Sequence, residues 1–341
     1  MSQDVALKDV ARRAGVSPAT VSNALSGARP VNEQTRQRIV AIAEALNYRP
    51  NKVARSLRRQ ETRTIALLVA DIANPYYPAV ARAIQDRAGA KGYVSFIGNT
   101  DGEAEAEIRV LEEMRSRSVD GVIMGTMALS AERIRSVLGP TIALVLLSGE
   151  GLAPETGDAL AMEVDQVGTD DAIGIGEAVR YLQAKGVVDV GFISGPVGVV
   201  PGVGRLGAFR RAMLDAGLTL REDWIGHASG YTREAGLEAA ERLLSRHDRP
   251  AAIMCANDLI AIGVLEAARD NRLAVPAELA VIGFDDIETA KLVSPRLTTV
   301  INPASLVGSA CADALLRRLQ HPQSAYEHVA LPTHLVVRES A

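Results

Sequence analysis

The stretch LKDVARRAGVSPATVSNALSG, residues 7–27, has the pattern of two short helices joined by a tight turn. Gly15 is a natural end for the first helix. Ser17 is a predicted N-cap of the second helix, and Pro18 suits its first position, where a missing N–H is tolerated. The predicted inner faces consist of Val10, Ala11 and Ala14 in the first helix and Val21, Ala24 and Leu25 in the second.

Two short helices in this arrangement are the layout of a DNA-binding helix-turn-helix, whose second helix lies in the major groove. The pattern alone also fits a generic helical hairpin. Asn32 is a predicted N-cap of a third helix over residues 33–46, and the three helices together would form a small bundle. The inward positions predicted for the third helix are Ile39, Val40, Ile42, Ala43 and Leu46.

The charge of the chain is divided sharply along its length. Residues 1–64 carry twelve Lys and Arg against five Asp and Glu, a net charge of +7, whereas the whole chain has −4 and the remainder therefore has −11. A basic head on an acidic body indicates a module that binds a polyanion, with a body that DNA repels.

Composition places the chain among ordinary globular proteins. Its 341 residues are enough for two or three domains, with 48% hydrophobic and 23% charged residues. The two cysteines, Cys255 and Cys311, lie in apolar stretches and predict no disulfide framework. Because we find neither a secretory signal nor an apolar run of about 20 residues, we expect a cytoplasmic protein without a membrane segment.

The first sixty residues resemble the headpiece of the LacI/GalR family of bacterial transcription repressors. The resemblance continues without a gap from the helix-turn-helix through VNEQTRQRIVAIAEALNYRPN to VARSL. It implies a hinge at residues 51–62 that becomes helical only on operator DNA, with the hinges of a homodimer paired. Leu57 would then wedge into the minor groove, with Ala54 at the contact between hinges.

The resemblance also supplies candidate DNA contacts. Pro18 and Ala19 would offer apolar contact, and Asn23 a hydrogen bond to an adenine edge. Hydroxyl groups suit phosphates, which position the protein without specifying sequence. The full candidate set is Ser17, Pro18, Ala19, Thr20, Ser22, Asn23, Asn51, Ala54 and Leu57.

From Thr64 the pattern alternates between strands and helices. Apolar strand-like runs occur at 65–72, 93–99, 120–125, 141–148, 187–195, 224–227, 251–258 and 278–286. Helical patterns occur at 78–90, 103–117, 132–138, 171–184, 205–216, 232–245, 259–270 and 303–319. Such alternation predicts an α/β body of two doubly wound parallel-sheet lobes, with a ligand cleft between the carboxyl ends of their strands.

Motifs such as NPYY, CANDLIAIG and VIGFDD make this body similar to the effector-binding core of the same family, which has the fold of periplasmic binding proteins. The resemblance implies three crossings between lobes. The expected organisation is a headpiece at 1–50, a hinge at 51–62 and a two-lobed effector-binding and dimerisation domain at 63–341. One lobe would contain about 63–162 plus 294–323, and the other about 163–293 plus 324–341.

Several polar and aromatic residues stand at predicted strand ends, where open α/β sheets bind ligands. Arg205 begins RLGAF, which resembles a family motif whose arginine contacts the effector. Asp285 offers an acceptor-only carboxylate that suits paired hydroxyls. Asp286 could instead cap the next helix, and either Asp170 or Asp171 could reach the pocket. The candidate effector site is Asn74, Tyr76, Tyr77, Asp171, Arg205, Asn257 and Asp285, which favours a sugar or sugar derivative.

Two other classes fit less well. The first βα turn, DIANPYYP, has no G-x-G-x-x-G for a dinucleotide phosphate, and no metal or catalytic motif is visible, so we expect neither an enzyme nor a cofactor. A periplasmic sugar-binding protein would match the body but has no use for a basic head. The sequence therefore predicts a homodimeric, effector-controlled regulator of a pseudo-palindromic operator, and it leaves open whether the effector is an inducer or a corepressor.

Overall fold

A computed structural model describes residues 5–27, 29–48, 61–125, 127–149 and 163–341. The chain divides into two compact units, Met1–Thr62 and Arg63–Ala341. Within the described residues, no helix combines the length and apolar character that crossing a membrane requires.

The first unit contains three helices, α1 Leu7–Ala14, α2 Pro18–Ser26 and α3 Glu33–Ala45. Gly15 ends α1 with a left-handed backbone at φ 63°. The Asn32 side chain accepts hydrogen bonds from the backbone N–H groups of Gln34 and Thr35, so it caps α3 as predicted.

The core of this unit is small. Its fully buried residues are Val10, Ala11, Ala14, Val21, Ala24, Ile39 and Ala43. Leu25, Ile42 and Leu46 pack against that core and are partly buried, whereas Val40 is half-buried and lies outside it. The three helices share this core, so the first unit is the small helical bundle that the sequence predicts.

The second unit contains twelve strands and eight α-helices within the described residues. The strands are β1 Thr64–Val69, β2 Val94–Asn99, β3 Gly121–Met124, β4 Ala143–Gly149, β5 Asp165–Asp170, β6 Val190–Ser194, β7 Ile225–His227, β8 Ala252–Cys255, β9 Ala280–Asp285, β10 Thr298–Ile301, β11 His328–Pro332 and β12 His334–Val336. The helices are α4 Tyr76–Gly89, α5 Ala104–Ser116, α6 Ala131–Leu138, α7 Asp171–Ala184, α8 Gly202–Asp215, α9 Arg233–Leu244, α10 Asp258–Asp270 and α11 Ala304–Gln320.

The strands form two six-stranded sheets, which confirms the two-lobed α/β body. The first sheet has the order β11-β5-β4-β3-β1-β2 and is parallel throughout. The second has the order β12-β10-β9-β8-β6-β7, and only β12 is antiparallel to its neighbour. Helices cover these sheets, so most central strands are buried along their length.

The lobe boundaries expected from sequence are wrong at all three crossings. Strand β5, expected in the second lobe, pairs with β4 in the first sheet. Strand β10, expected in the first lobe, pairs with β9 in the second sheet, and β11 pairs with β5 rather than joining the second lobe. The chain therefore crosses after these strands end, because each strand first completes its hydrogen bonds with a neighbour in the sheet it leaves.

Helix α11 follows the second crossing and packs against α4 of the first lobe, as expected. A Cβ atom at Gly308 would lie 2.5 Å from the carbonyl oxygen of Val80, so this helix pair requires glycine there. Helices α9 and α10 of the second lobe approach as closely. A Cβ at Gly263 of α10 would lie 2.2 Å from the carbonyl oxygen of Arg233, which is backbone and cannot rotate away.

We predict that Gly263→Ala destabilises the second unit by about 1–3 kcal/mol, because α9 and α10 must separate to admit the methyl group. The matched control is Gly207→Ala in α8, where a new Cβ meets nothing within 4 Å. Gly207→Ala should raise stability by about 0.5–1 kcal/mol, because alanine favours a helix interior. Denaturant unfolding of the full chain measures both changes, and equal effects of the two substitutions would contradict the packing argument.

Candidate functional site

The exposed end of α2 presents the residues predicted to meet DNA. Ser17 Oγ accepts a hydrogen bond from the Thr20 N–H at 3.1 Å and lies 2.9 Å from Thr20 Oγ1, so both hydroxyls stabilise the start of the helix. Ser17, Pro18 and Ala19 are exposed, which leaves them accessible to a partner.

Further along α2, Thr20, Ser22 and Asn23 are half-buried, while Val21 and Ala24 face the core. The helix therefore keeps its polar candidates away from the bundle interior. The remaining candidates, Asn51, Ala54 and Leu57, lie outside the described residues.

The predicted effector residues come together in the second unit. A cavity of about 630 Å³, including its opening to solvent, is lined by Asn74, Tyr76, Tyr77, Arg205, Asn257 and Asp285. Asn74 and the tyrosines come from the first lobe, and the other three from the second. Further lining residues that the sequence reading missed include Met127, Leu147, Thr169, Tyr231 and Asn302.

Arg205 is the central charge of this cavity. Its Nε donates to Asp171 Oδ2 at 2.9 Å, and its Nη2 lies 3.6 Å from Asp285 Oδ1. Its Nη1 donates to the carbonyl oxygen of Ala256 at 2.5 Å, and the guanidinium stacks 3.8 Å from the centre of the Phe284 ring. The side chain is therefore held in one orientation by contacts on several sides, and it is a buried group rather than a surface ion pair.

The two aspartates around Arg205 have different positions. Asp171 is fully buried and does not line the cavity; its second oxygen accepts from Thr169 Oγ1 at 2.6 Å. Asp285 lines the cavity and is 8% exposed. Neither Asp170 nor Asp171 lines the cavity, so the expectation that one of them reaches the pocket is wrong. Asp171 instead holds Arg205 in position, and Asp285 faces the cavity.

For both Arg205 and Asp285, burial and the neighbouring charges shift the pKa in opposite directions. Burial would lower the pKa of Arg205, but Asp171 and Asp285 outweigh it and raise that pKa. Burial raises the pKa of Asp285 from 3.8 to about 6, although Arg205 and a hydrogen bond from Asn302 act against the rise. Arg205 is thus a permanent cation, whereas Asp285 changes charge near pH 6.

Asn302 completes the polar side of the cavity. Its Nδ2 donates to Asp285 Oδ1 at 3.1 Å, while its buried Oδ1 has no hydrogen-bond partner among the described residues. An unpartnered buried acceptor favours a ligand that brings a donor. The sequence analysis did not single out Asn302, although it directly follows the mostly buried strand β10.

The backbone around Asp285 is strained. Asp285 has φ 111° and Asp286 has φ 55°, values that residues other than glycine rarely adopt. Such strain often accompanies functional sites. The idea that Asp286 caps the next helix is wrong, because its side chain pairs with Arg338 and the following helical turn begins without a side-chain cap.

The first-lobe wall is aromatic. Tyr76 and Tyr77 meet edge to face with ring centres 5.4 Å apart, and burial raises the pKa of both phenols. Asn74 Oδ1 accepts from the Tyr76 N–H at 3.1 Å, so this amide also forms the turn that begins α4.

Asn257 has a structural role in addition to its place in the lining. Its Oδ1 caps α10 by accepting from the Ile260 N–H at 2.9 Å, and its Nδ2 donates to the carbonyl oxygen of Tyr231 at 3.2 Å. These two bonds orient the amide, so Asn257 shapes the cavity wall. Trp224 is buried in the second-lobe core, and its Nε1 donates to the carbonyl oxygen of Asp248.

Comparison with known proteins gives separate matches in the two units of the chain. A sequence model of bacterial regulatory proteins of the lacI family matches residues 6–51, and one of the periplasmic binding protein-like domain matches residues 179–341. The ribose operon repressor of Escherichia coli (strain K12) is 34% identical over 338 residues, which cover 98% of this chain and 99% of the repressor. The chain belongs to the lacI family of bacterial regulatory proteins.

Solved structures agree with this assignment. The lac repressor dimer bound to operator and the anti-inducer ONPF matches with a TM-score of 0.88 and 25% identity, covering 99% of each chain. A LacI family transcriptional regulator from Enterococcus faecium with bound ribose matches with a TM-score of 0.70 and 26% identity, covering 82% of this chain and 98% of that one. These relatives are transcription regulators, and the match over the headpiece disfavours a periplasmic sugar-binding protein.

Because the pKa of Asp285 is raised, we expect the free energy of unfolding to depend on pH. The folded state binds a proton at Asp285 more tightly than the unfolded chain does, so this stabilisation is complete below pH 3.8 and is lost as pH rises through about 6. We therefore expect the free energy of unfolding of the unaltered protein to fall relative to Asp285→Asn, by up to about 3 kcal/mol between pH 4 and pH 7.

Chemical unfolding at a series of pH values measures this difference. Asp215→Asn is the control, because Asp215 is an exposed carboxylate at the end of α8 and its loss changes the net charge equally. A constant difference between the unaltered protein and Asp285→Asn across this pH range would show that Asp285 does not titrate there.

Proposed function

We propose that this lacI-family protein is a cytoplasmic, homodimeric repressor that is not an enzyme and whose affinity for operator DNA is set by a small hydroxylated effector. The observation that carries the proposal is the group formed by Arg205, Asp285 and Asn302 in the cleft of the second unit. It combines fixed donors, a carboxylate acceptor and an unsatisfied amide oxygen, which together suit vicinal hydroxyls.

In the headpiece, α2 is proposed to lie in the major groove. Its exposed N-terminal residues, Pro18 and Ala19, would make apolar contacts with base edges, and Asn23 would pair with an adenine. Ser17, Thr20 and Ser22 would contact phosphates, which fix the position of the helix. The net positive charge of residues 1–64 supports binding of this segment to DNA.

The hinge assignments remain part of the proposal. Asn51 would contact DNA, Ala54 would lie at the contact between paired hinges, and Leu57 would enter the minor groove and unstack a base step. A homodimer would then read the two halves of a pseudo-palindrome.

A sugar or sugar derivative is the proposed effector class. Support comes from the cleft chemistry and from relatives, since a ribose operon repressor is 34% identical and a related regulator has been solved with bound ribose. Tyr76 and Tyr77 add aromatic faces to the cavity, next to the hydrogen-bonding groups of the second lobe.

We predict that Asn23→Ala weakens binding to a selected operator by about 1–3 kcal/mol and relaxes base preference at one position in each half-site. The operator is first selected from a randomised palindromic duplex library with the unaltered protein, and affinities are then measured by fluorescence anisotropy at fixed salt. Glu44→Gln, an exposed position near the end of α3, is the control. Unchanged affinity and preference in Asn23→Ala would remove Asn23 from base recognition.

We predict that the effector raises thermal stability through the cleft. A ligand at 100 times its Kd should add about 2.7 kcal/mol to the free energy of unfolding, and the rise in Tm identifies it in a panel of sugars, sugar acids, polyols and nucleobases. Asp285→Ala should abolish the shift, whereas Asp215→Ala should retain it. A ligand whose shift survives in Asp285→Ala binds elsewhere and would contradict the proposed site.

A further inference from the structure

The carboxylate that faces the cavity stands on backbone that must be held in place. Asp285 has φ 111° and Asp286 has φ 55°, and residues with a Cβ atom keep such values only where their surroundings enforce them. Asp285 is the last residue of β9 and pairs with Ile301 of β10. Strand pairing therefore fixes the chain up to Asp285, and contacts of the residues that follow must fix the strained turn.

Asp286 is held by an arginine from a distant part of the chain. Its carboxylate pairs with the guanidinium of Arg338, and both side chains are only 12% exposed. Arg338 Nη1 also donates to the carbonyl oxygen of Leu297 at 2.8 Å, so the guanidinium is fixed from a second side. Neither Asp286 nor Arg338 lines the cavity. This charge-assisted pair therefore restrains the turn from a position outside the ligand space.

The segment that carries Arg338 is anchored independently of its guanidinium. The Arg338 N–H donates to Thr298 Oγ1 at 2.9 Å. Ser340 Oγ accepts from the Thr298 N–H at 2.8 Å and donates to the carbonyl oxygen of Val281 at 2.6 Å. The Ser340 N–H donates to the carbonyl oxygen of Arg296 at 3.1 Å. Since these bonds tie the segment to β9 and to the start of β10, a shorter side chain at position 338 should leave its backbone in place.

A second carboxylate fixes the residue after the strained pair. Asp258, the first residue of α10, is fully buried. Its Oδ2 accepts from the Ile287 N–H at 2.9 Å, and its Oδ1 accepts from Thr299 Oγ1 at 2.5 Å. The turn is thus held at Ile287 by Asp258 and at Asp286 by Arg338. Because Asp258 is part of the lobe interior, its removal would disturb packing, whereas a change at Arg338 is confined to the contacts of its guanidinium.

We propose that Arg338 is a positioning residue of the effector cleft, because it holds, through Asp286, the backbone conformation of Asp285. That conformation places the Asp285 carboxylate 3.6 Å from Arg205. Without the Arg338 guanidinium the strained turn relaxes and the Asp285 carboxylate leaves its buried position, although every residue of the cavity lining is still present. The consequence for ligand affinity rests on the proposed function, whereas the position of Asp285 does not.

The ionisation of Asp285 reports its position independently of any ligand. Burial raises its pKa to about 6, so a carboxylate that moves towards solvent has a lower pKa. Loss of a nearby cation would by itself act in the opposite direction and raise that pKa. The direction of the shift therefore distinguishes movement of Asp285 from a change in the local charge. The variants below retain all of the charged and titratable groups that face Asp285, which are Arg205, Asp171, Asp258, Tyr76, Tyr77 and Tyr231.

The first measurement is denaturant unfolding of the full chain between pH 4 and pH 8. The free energy of unfolding is compared with and without Asp285→Asn, first in the unaltered protein and then in Arg338→Gln. In the unaltered background we expect this difference to level off above about pH 6. In Arg338→Gln it should level off at a pH lower by about one unit or more, which corresponds to a proton affinity at least about tenfold lower. Arg338→Lys, which keeps the charge and can still donate to Asp286, should give a smaller shift.

Arg296→Gln is the matched control. Arg296 lies beside the same segment and loses the same charge, but it pairs with Glu339, and both of these side chains are exposed. The backbone bonds of Arg296 to the segment remain in this variant. Arg296→Gln should therefore leave the titration of Asp285 unchanged.

The second measurement is calorimetric titration of the full chain with D-ribose, the sugar named for two relatives. Arg338→Gln should weaken ribose binding by about tenfold or more, because the Asp285 carboxylate is no longer placed to accept from the sugar hydroxyls. Arg338→Lys should recover part of that loss. Arg296→Gln should bind ribose as tightly as the unaltered protein does.

The two measurements separate this inference from the proposed function. An unchanged or higher pKa of Asp285 in Arg338→Gln overturns the positioning role, and so does an equal shift in Arg296→Gln. Unchanged ribose affinity in Arg338→Gln, when ribose binds the unaltered protein, also overturns it. If ribose binds none of the proteins, the proposed effector class loses support, while a lowered pKa of Asp285 in Arg338→Gln still supports the role of Arg338. If Arg338→Gln does not fold, Arg338→Lys decides by the same comparisons.

Discussion

The cleft of this protein depends on one buried cation. Arg205 is 5% exposed, and an isolated charge in that position would be strongly unfavourable. It is tolerated because Asp171 and Asp285 surround it and because a backbone carbonyl oxygen accepts a hydrogen bond from it. The guanidinium thereby joins the start of α7, the end of β8 and the end of β9. The geometry of this sheet edge and its ligand chemistry are therefore set by the same interaction.

Local structure was largely predictable from sequence, because caps and periodicity act over a few residues. The bounds predicted for α7 match the structure at both ends, and Ser17 and Asn32 cap the helices expected of them. Sheet membership was not predictable in the same way. Strand β5 begins a segment that the sequence reading assigned to the second lobe, yet it pairs with β4. Pairing between strands is a non-local interaction, and alternation along the chain carries no information about which sheet a strand joins.

The same contrast between local and non-local interactions applies to the residues of the cleft. Positions directly after buried strands were recognisable, so the sequence pointed to Asp285 and Asn257. In the structure, both the nitrogen and the oxygen of the Asn257 side-chain amide form hydrogen bonds with backbone groups. Asn302 and Tyr231 were missed, since their roles arise from contacts with Asp285 and with the loop at 195–204, which only the folded chain brings together. The valines of that loop were visible in the sequence as an apolar run, but the position of Val200 in the cavity lining was not.

The most direct test of this account is reciprocal linkage. The Kd of the effector is measured by calorimetry with and without saturating operator, and the Kd of the operator is measured by anisotropy with and without saturating effector. The account predicts that both ratios equal the same factor, about 5–150-fold, because one coupling free energy connects the two sites. An effector that raises the Kd of the operator is an inducer, and one that lowers it is a corepressor. An effector that binds through Asp285 and leaves operator affinity unchanged would contradict the account.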